Sequence, residues 1–464
     1  MIKNNTIEKD TDNKNKVSDD NEMEYIGKYK KYLNNANKSE LISKLYKNNL
    51  LKPYNKYTGI RKIILNISYD GYKYIGVQED IGGMSISEEL KNALYSAGLF
   101  VDDILFSSCI EEFIKNDENS INLYIDNKIK NNIDFCGRTD KGVNASNMLV
   151  SLFVKSKYSL KQIYKNIIEK QDGKNVNLFK QQKYVFNGKT FYKSIYEENE
   201  FEIKEYDRNE IPYDAVLNKF LPDEITVKSW APIPLNFSAR HDCRERHYKY
   251  FITHNIKEFI YGVMTNGKRE LFKISYNDFK QVNHNNFKQI NYKEDKKICL
   301  NEIIDEMRLQ YEKAGKILLN LDNFYYLSKH TNEKANYNFK LNFLKFTFMR
   351  IYDNETTMEI PLAKNMDIYF SDLERYNIIM CLDIKSYSYL HNMVRKIAFW
   401  SKRYVDCGRE DFRDVQCASA ESLIFYNASF DHKLNFISKQ TYEKKIKEKK
   451  IAEGEVKREI QRFL

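Results

Sequence analysis

Between two apolar runs, Ile133 to Cys136 and Met148 to Val154, lies the polar stretch Cys136-Gly137-Arg138-Thr139-Asp140-Lys141-Gly142-Val143-Asn144-Ala145. The second run is rich in Val, Leu and Phe and is short enough to read as a buried strand. Gly137 and Gly142 bracket the polar residues, which lets the backbone turn sharply and come close to whatever binds there. One carboxylate, Asp140, is thereby held on a tight turn between strands and flanked by two cations, Arg138 and Lys141. Asp and Gly between strands ordinarily make only a hairpin turn. A carboxylate set beside an anion-attracting pair of cations is a less ordinary choice.

The rest of the chain frames that loop. Ile63 to Tyr69 reads as a strand ending at Asp70-Gly71, and Ile86 to Leu94 as an amphipathic helix opened by Ser85 or Ser87. Gly71 to Gly76 is no phosphate loop, because no Gly-Lys-Ser/Thr follows. Residues 101 to 131 look like an insertion. Tyr213 to Ile225 is expected to hold a short helix broken by Pro222, followed by a strand from Thr226 to Trp230. A strand from Tyr248 to Thr253 follows a cluster of Arg and His that includes Arg240 and Arg246, and residues 254 to about 315 read as a second charged insertion. Ile378 to Ile384 reads as a strand. Tyr387 to Ile397, apolar at positions 390, 393, 394 and 397, reads as a helix with one buried face.

Composition narrows the partner. Lys and Arg number 75 against 65 Asp and Glu, a net charge of +10, with 35 Tyr and 28 Phe in 464 residues. Cations meet phosphates and rings stack on bases, so this balance suits a nucleic acid. Seven scattered cysteines without a Cys-x-x-Cys argue against a disulfide framework and a zinc site. His247 and His254 have no third ligand at suitable spacing, so no metal is expected. No apolar run is long enough to span a membrane, and the first 20 residues lack the apolar core of a secretory signal. The expected setting is cytoplasmic and/or nuclear.

Four blocks together carry a resemblance. Gly137-Arg138-Thr139-Asp140-Lys141-Gly142-Val143-Asn144-Ala145 resembles the signature of the TruA-type tRNA pseudouridine synthases, whose Arg-Thr-Asp carries the catalytic Asp. Tyr69-Asp70-Gly71 through Tyr74, Gly76 and Gln78 is similar to the family's first strand and loop, with Val77 where Trp is usual. Phe237-Ser238-Ala239-Arg240 with Arg246-His247-Tyr248-Lys249-Tyr250 resembles its Phe-x-Ala-Arg and Arg-x-Tyr-x-Tyr block. His391-Asn392-Met393-Val394-Arg395 resembles its last block, with Asn392 where a second His is often found. The segment Leu321 to Phe339, the Gln78-Glu79 loop and the run Trp230 to Arg240 lean toward the eukaryotic branch that modifies tRNA uridines 38 and 39.

The resemblance implies an α/β (α+β) fold of two similar halves, each a mixed or antiparallel sheet with helices on one side, and a cleft between them. It divides the chain into a charged, largely disordered or helical extension (1–60), an N-terminal half (61–210), a C-terminal half (211–438) and a basic tail helix (439–464). The implied catalytic set is Asp140, Tyr248 against the target base, and Arg395 paired with the Asp. A guanidinium opposite the carboxylate favours its charged form and orients it. Arg138, Lys141, Arg240 and Arg246 would meet the RNA, with Arg138 filling the space left by a flipped base. The reaction changes no oxidation state, so no cofactor is expected, and the partner is tRNA, with a homodimer left open. The remaining alternatives are a synthase for other tRNA positions or other RNAs, and a non-catalytic RNA-binding protein on the same fold.

Overall fold

The computed structural model describes residues 59–78, 83–114, 130–163, 181–186, 189–194, 196, 198–265, 297–329, 337–338, 340–356, 358–360 and 366–438. The expected tail helix and all but the end of the expected N-terminal extension lie outside them.

The chain opens with β1 (Gly59–Tyr69), α1 (Ile86–Ser96), α2 (Asp103–Ile114), β2 (Asp134–Phe135), β3 (Asn144–Ser156), β4 (Gln181–Phe186) and β5 (Lys189–Ser194). Two short helices, α3 (Glu205–Arg208) and α4 (Tyr213–Leu217), lead to β6 (Ile225–Pro232), β7 (Cys243–Asn255) and α5 (Ile256–Thr265). Then come β8 (Lys297–Cys299), α6 (Leu300–Leu319), β9 (Phe343–Asp353), β10 (Met358–Ile360) and β11 (Asp367–Tyr369). The last elements are β12 (Tyr376–Ser386), α7 (Met393–Cys407) and β13 (Leu423–Phe430).

The fold is α+β, built on one nine-stranded sheet in the order β10-β9-β12-β7-β13-β3-β1-β6, with β2 also pairing β3. β1, β2, β3 and β6 make one side of it and β7, β9, β10 and β12 the other, while β4 with β5 and β8 with β11 form two small sheets of their own. The two sides meet at β13, which pairs antiparallel with β7 and parallel with β3 through Ile424 opposite Asn144 and Phe425 opposite Ala145. That seam matters because Asn144 and Ala145 close the Asp140 loop.

Side-chain alternation explains the central strands. In β7, Tyr248, Tyr250, Ile252 and His254 are buried while Lys249, Phe251 and Thr253 are half-buried. A strand with that alternation covers a core with one face only. The core under it is supplied by α5, α6 and α7, which pack on one another and on β7 and β9. β1 is buried along almost its whole length, which required a partner for Arg61. Its guanidinium donates to Asp207 Oδ1 at 2.5 Å and Glu210 Oε2 at 3.2 Å, all three side chains being at most 3% exposed. A buried charge is tolerable only when paired in this way.

Several sequence expectations hold with adjusted ends. α1 starts at Ile86 with Ser85 as its N-cap, the Ser side chain accepting from the Glu88 N–H at 3.1 Å. Others need correction. Residues 254 to 315 are not merely an insertion. They contain α5 and most of α6, whose Leu300, Ile303, Ile304, Met307, Tyr311, Ala314 and Leu318 form one buried stripe at helical spacing. Residues 101 to 131 contain α2, whose Phe106, Ile110 and Phe113 join a small core with Ile60, Phe153, Leu160 and Leu235. The helix expected from Tyr387 begins only at Met393, because Asn392 adopts a left-handed conformation with φ 60°.

Candidate active site

Two loops build the floor of the site. The turn after β1 runs from Asp70 to Gln78, and the loop before β3 runs from Cys136 to Val143. Val77 N donates to the Thr139 carbonyl at 3.2 Å, Gly142 N donates to the Tyr74 carbonyl at 3.2 Å, and Gly76 forms a bridge with Asp140. Gly76 has φ 127°, and a Cβ there would stand 2.6 Å from the Thr139 carbonyl oxygen. Gly142 has φ 80°. Both are positions where an L side chain would be strained. The sequence signal of Gly-bracketed turns therefore marks the place where two loops touch.

Side chains finish the brace. The Tyr69 and Thr139 hydroxyls lie 2.8 Å apart, both buried. Asn144 accepts from the Gly71 N–H at 2.9 Å and donates to the Glu421 carbonyl at 3.0 Å, joining both loops to the segment before β13. Asp140 thus sits on a backbone fixed from three directions, with its side chain 38% exposed at the surface.

Opposite lies Tyr248 on β7. Its ring is buried edge-on between Tyr389 at 5.0 Å and Phe425 at 5.1 Å. Burial first, then the neighbouring Cys136 and Asp140 charges, push its hydroxyl well above the ordinary tyrosine range. Phe425, paired with Tyr248 on one side and Ala145 on the other, also packs against Gly137, so Tyr248 lies beside the Asp140 loop.

Arg395 stands near but not on the carboxylate. Its Nε donates to the Ala418 carbonyl at 2.6 Å, and its Nη1 reaches Asn392 Oδ1 at 3.5 Å. Among the described residues no ion pair joins Arg395 to Asp140. The carboxylate's nearest ring partner is His391, with Nε2 at 3.7 Å from Asp140 Oδ1. Sequence reasoning placed His391 in a motif but gave it no role. The left-handed Asn392 that turns the chain at this point is the local feature the sequence left unmarked.

The remaining predicted residues separate into two kinds. Arg138, Lys141 and Arg240 are exposed. Burial first, and then the Arg240 charge, lower the pKa of Arg138. The Gln78 amide, assigned with its oxygen toward Arg138, accepts from Nε at 3.3 Å and Nη2 at 3.2 Å. Arg246 is different. Its Nε donates to the Cys136 carbonyl at 2.6 Å, Nη1 to the Tyr387 carbonyl at 2.5 Å and Nη2 to the Arg240 carbonyl at 2.9 Å. The Tyr389 hydroxyl donates back to the Arg246 carbonyl at 3.2 Å. Arg246 therefore ties three segments of the site together rather than presenting a free fork to a ligand.

No described group of three or more His, Cys, Asp or Glu is placed to hold a metal ion, and no described helix is long and apolar enough to cross a membrane. His254 is buried in a network of its own, with Nδ1 2.7 Å from Asp406 Oδ1 and Nε2 2.6 Å from the Tyr311 hydroxyl. It is structural.

No protein-family model matches the chain. Among curated proteins, a tRNA pseudouridine(38/39) synthase of Bos taurus is 28% identical over 194 residues, which is 42% of this chain and 29% of that protein. The protein of that name in Homo sapiens is 26% identical over 197 residues, with the same shares. The one in Saccharomyces cerevisiae is 34% identical over 116 residues, 25% of this chain and 18% of that protein. Over this stretch the chain is similar to eukaryotic proteins named tRNA pseudouridine(38/39) synthase. The matched stretch spans less than a third of the length of these relatives. The resemblance carried by the four sequence blocks and the α+β class both agree with this relationship.

Proposed function

We propose that the chain is a tRNA pseudouridine synthase that isomerises uridine to pseudouridine in the anticodon stem-loop, at positions 38 and 39. The observation that carries the reading is Asp140 itself. One accessible carboxylate is held on a doubly braced loop, with the Tyr248 ring and a set of cations around it. The names of the relatives supply the substrate class.

The reaction exchanges the N1–C1′ bond of a uridine for a C5–C1′ bond, and the hydrogen on C5 leaves as a proton. One carboxylate is sufficient to begin it, by attack on the sugar C1′ or the uracil C6 or as the base of an elimination. A base stacked in an RNA helix is out of reach of a side chain at the bottom of a loop, so the target must be turned out first. Tyr248 then offers a ring for the uracil to lie against. Arg138, backed by Gln78, would fill the space the base vacates. Lys141 and Arg240, both exposed, would meet phosphates flanking the target, and contacts of that kind position the RNA without reading its sequence. His391, 3.7 Å from the carboxylate, borders the place the uridine would take.

Incubating tRNA transcripts with the full chain and mapping pseudouridine by carbodiimide-blocked primer extension tests the assignment. Stops at positions 38 and 39 support it. Stops elsewhere would move the substrate to another position, and none in any tRNA would remove the activity.

A further inference from the structure

The segment from Leu321 to Lys329 lies along the start of α7, beside the candidate catalytic loop. Lys329 N donates to the His391 carbonyl at 2.9 Å, and Lys396 Nζ donates to the Tyr326 carbonyl at 3.3 Å. Both ends of Tyr325–Lys329 are thus fastened to the turn that carries His391 and Arg395. Within the segment, Phe324 and Leu327 are fully buried, whereas Tyr325 is 40% and Tyr326 55% exposed. The core anchors on either side hold two neighbouring phenol rings outward. Their rings meet edge-on at 5.2 Å, and Tyr325 meets Tyr337 in the same way at 5.1 Å.

Lys329 and Lys396 stand beside the rings, and Asp322 at the start of the segment is paired with Lys340 at 3.3 Å. The His391 whose carbonyl holds Lys329 also stands 3.7 Å from Asp140 Oδ1 through its ring Nε2. The two rings therefore lie on a segment fastened beside the candidate nucleophile, with Lys329 and Lys396 next to them. Exposed aromatic rings interleaved with lysines suit unpaired nucleotides, because bases stack on the rings while the ammonium groups meet the backbone. An acidic protein would use the lysines but leave the aromatic edges with no partner of their own.

We propose that Tyr325 and Tyr326 form a stacking platform for an unpaired nucleotide next to the one delivered to Asp140, with Lys329 and Lys396 as its phosphate contacts. The proposal rests on the RNA-modifying reading above. The platform grips the loop at one side of the target and holds the strand in the splayed form from which a uridine is turned out. It makes the enzyme depend on an unpaired neighbour rather than on a base-pair sequence.

The test uses the full chain, tRNA transcripts and four variants: Tyr326→Ala, Tyr325→Ala, Tyr326→Trp and Lys329→Ala. Filter binding at several salt concentrations and single-turnover pseudouridine formation are measured for each. Tyr326→Ala is expected to weaken tRNA binding by about 5- to 150-fold, the range for one base–aromatic stack. Tyr326→Trp restores binding, and Lys329→Ala lowers the salt slope by about 0.7, as for one single-strand phosphate. Thermal melts check that each exposed-site variant stays folded. Binding and salt slope unchanged in both Tyr326→Ala and Lys329→Ala would overturn the platform, as would failure of the native chain to bind any tRNA. If the native chain binds tRNA but makes no pseudouridine, a persisting Tyr326 effect on binding sustains the platform while the catalytic reading falls.

Discussion

Arg246 Nε donates to the Cys136 carbonyl at 2.6 Å, one residue before the glycine that opens the Asp140 loop. The same guanidinium holds the carbonyls of Arg240 and Tyr387. A planar fork can serve three acceptors at fixed angles, and an ammonium cannot copy that geometry. Arg246→Lys is therefore expected to lower kcat roughly 10- to 100-fold, the cost of misplacing a reacting group by about an ångström. Its salt dependence of tRNA binding stays native, because no phosphate contact is lost. Arg138→Ala, Lys141→Ala and Arg240→Ala behave in the opposite manner, each reducing the salt slope by about 0.7 to 0.9. Binding isotherms across salt concentrations, with single-turnover rates, separate the two classes.

Tyr248 should act through its ring. Among the described residues its hydroxyl donates to no acceptor, and its ring is fixed by Tyr389 and Phe425. Tyr248→Phe is expected to retain activity within about tenfold, whereas Tyr248→Ala loses about 5- to 150-fold by the loss of one stack. Because burial first, with Cys136 and Asp140, holds the hydroxyl above its ordinary range, its ionisation shapes no part of a rate profile between pH 6 and 10. Single-turnover rates across that interval check both statements.

Stability should fall in acid through the network at α7. Burial would raise the Asp406 carboxyl, but His254, its hydrogen bond and Lys402 outweigh it and bring the pKa down to about 2. The His254 ring is pushed down, chiefly by burial. A depressed carboxyl stabilises the fold above its unfolded value and loses that contribution as pH falls through the folded one. A depressed histidine likewise stabilises above its unfolded value, and the unfolded chain takes up the proton first as the pH drops. Both signs point the same way, so urea-unfolding free energy should decline from about pH 6.5 downward and more steeply below about pH 4. Asp406→Asn should cost about 2 kcal/mol at pH 7 and show a shallower loss below pH 4.

Asn392, with φ 60°, makes the turn that brings His391 to Asp140. Asn tolerates this conformation, whereas a residue with an ordinary Cβ and no local hydrogen bond pays roughly 1 kcal/mol. Asn392→Ala is expected to lose about that much in urea unfolding, and Asn392→Gly to stay near native. A loss in the glycine variant equal to that in alanine would show that the side chain, and not the backbone, sets the turn.

The parts of the fold that could be read from the chain are those with strong local pattern. β1, β3, β7 and β12 have apolar runs or alternation, and the glycines of the Asp140 loop mark a real contact between loops. β13 was not read, although Leu423 to Tyr426 is an apolar run, because its central place depends on partners 173 to 280 residues away along the chain. α6 was passed over because its charged face dominates the composition of the segment, and its buried stripe shows only at helical spacing. In the site, Tyr248 lies on β7 and the Asp140 loop leads into β3, and these two strands meet through β13. The role of Arg246 was not legible, since three backbone carbonyls leave no mark on a sequence. Nor was the His391 contact, which depends on a single left-handed residue.

Release of tritium from tRNA labelled at uridine C5 measures the central claim most directly, because the label must leave when the new carbon bond forms. The native chain is predicted to release it, and Asp140→Asn to bind the same tRNA with similar affinity and release none. Release from the asparagine variant at the native rate, or none from the native chain despite tight binding, would contradict the account.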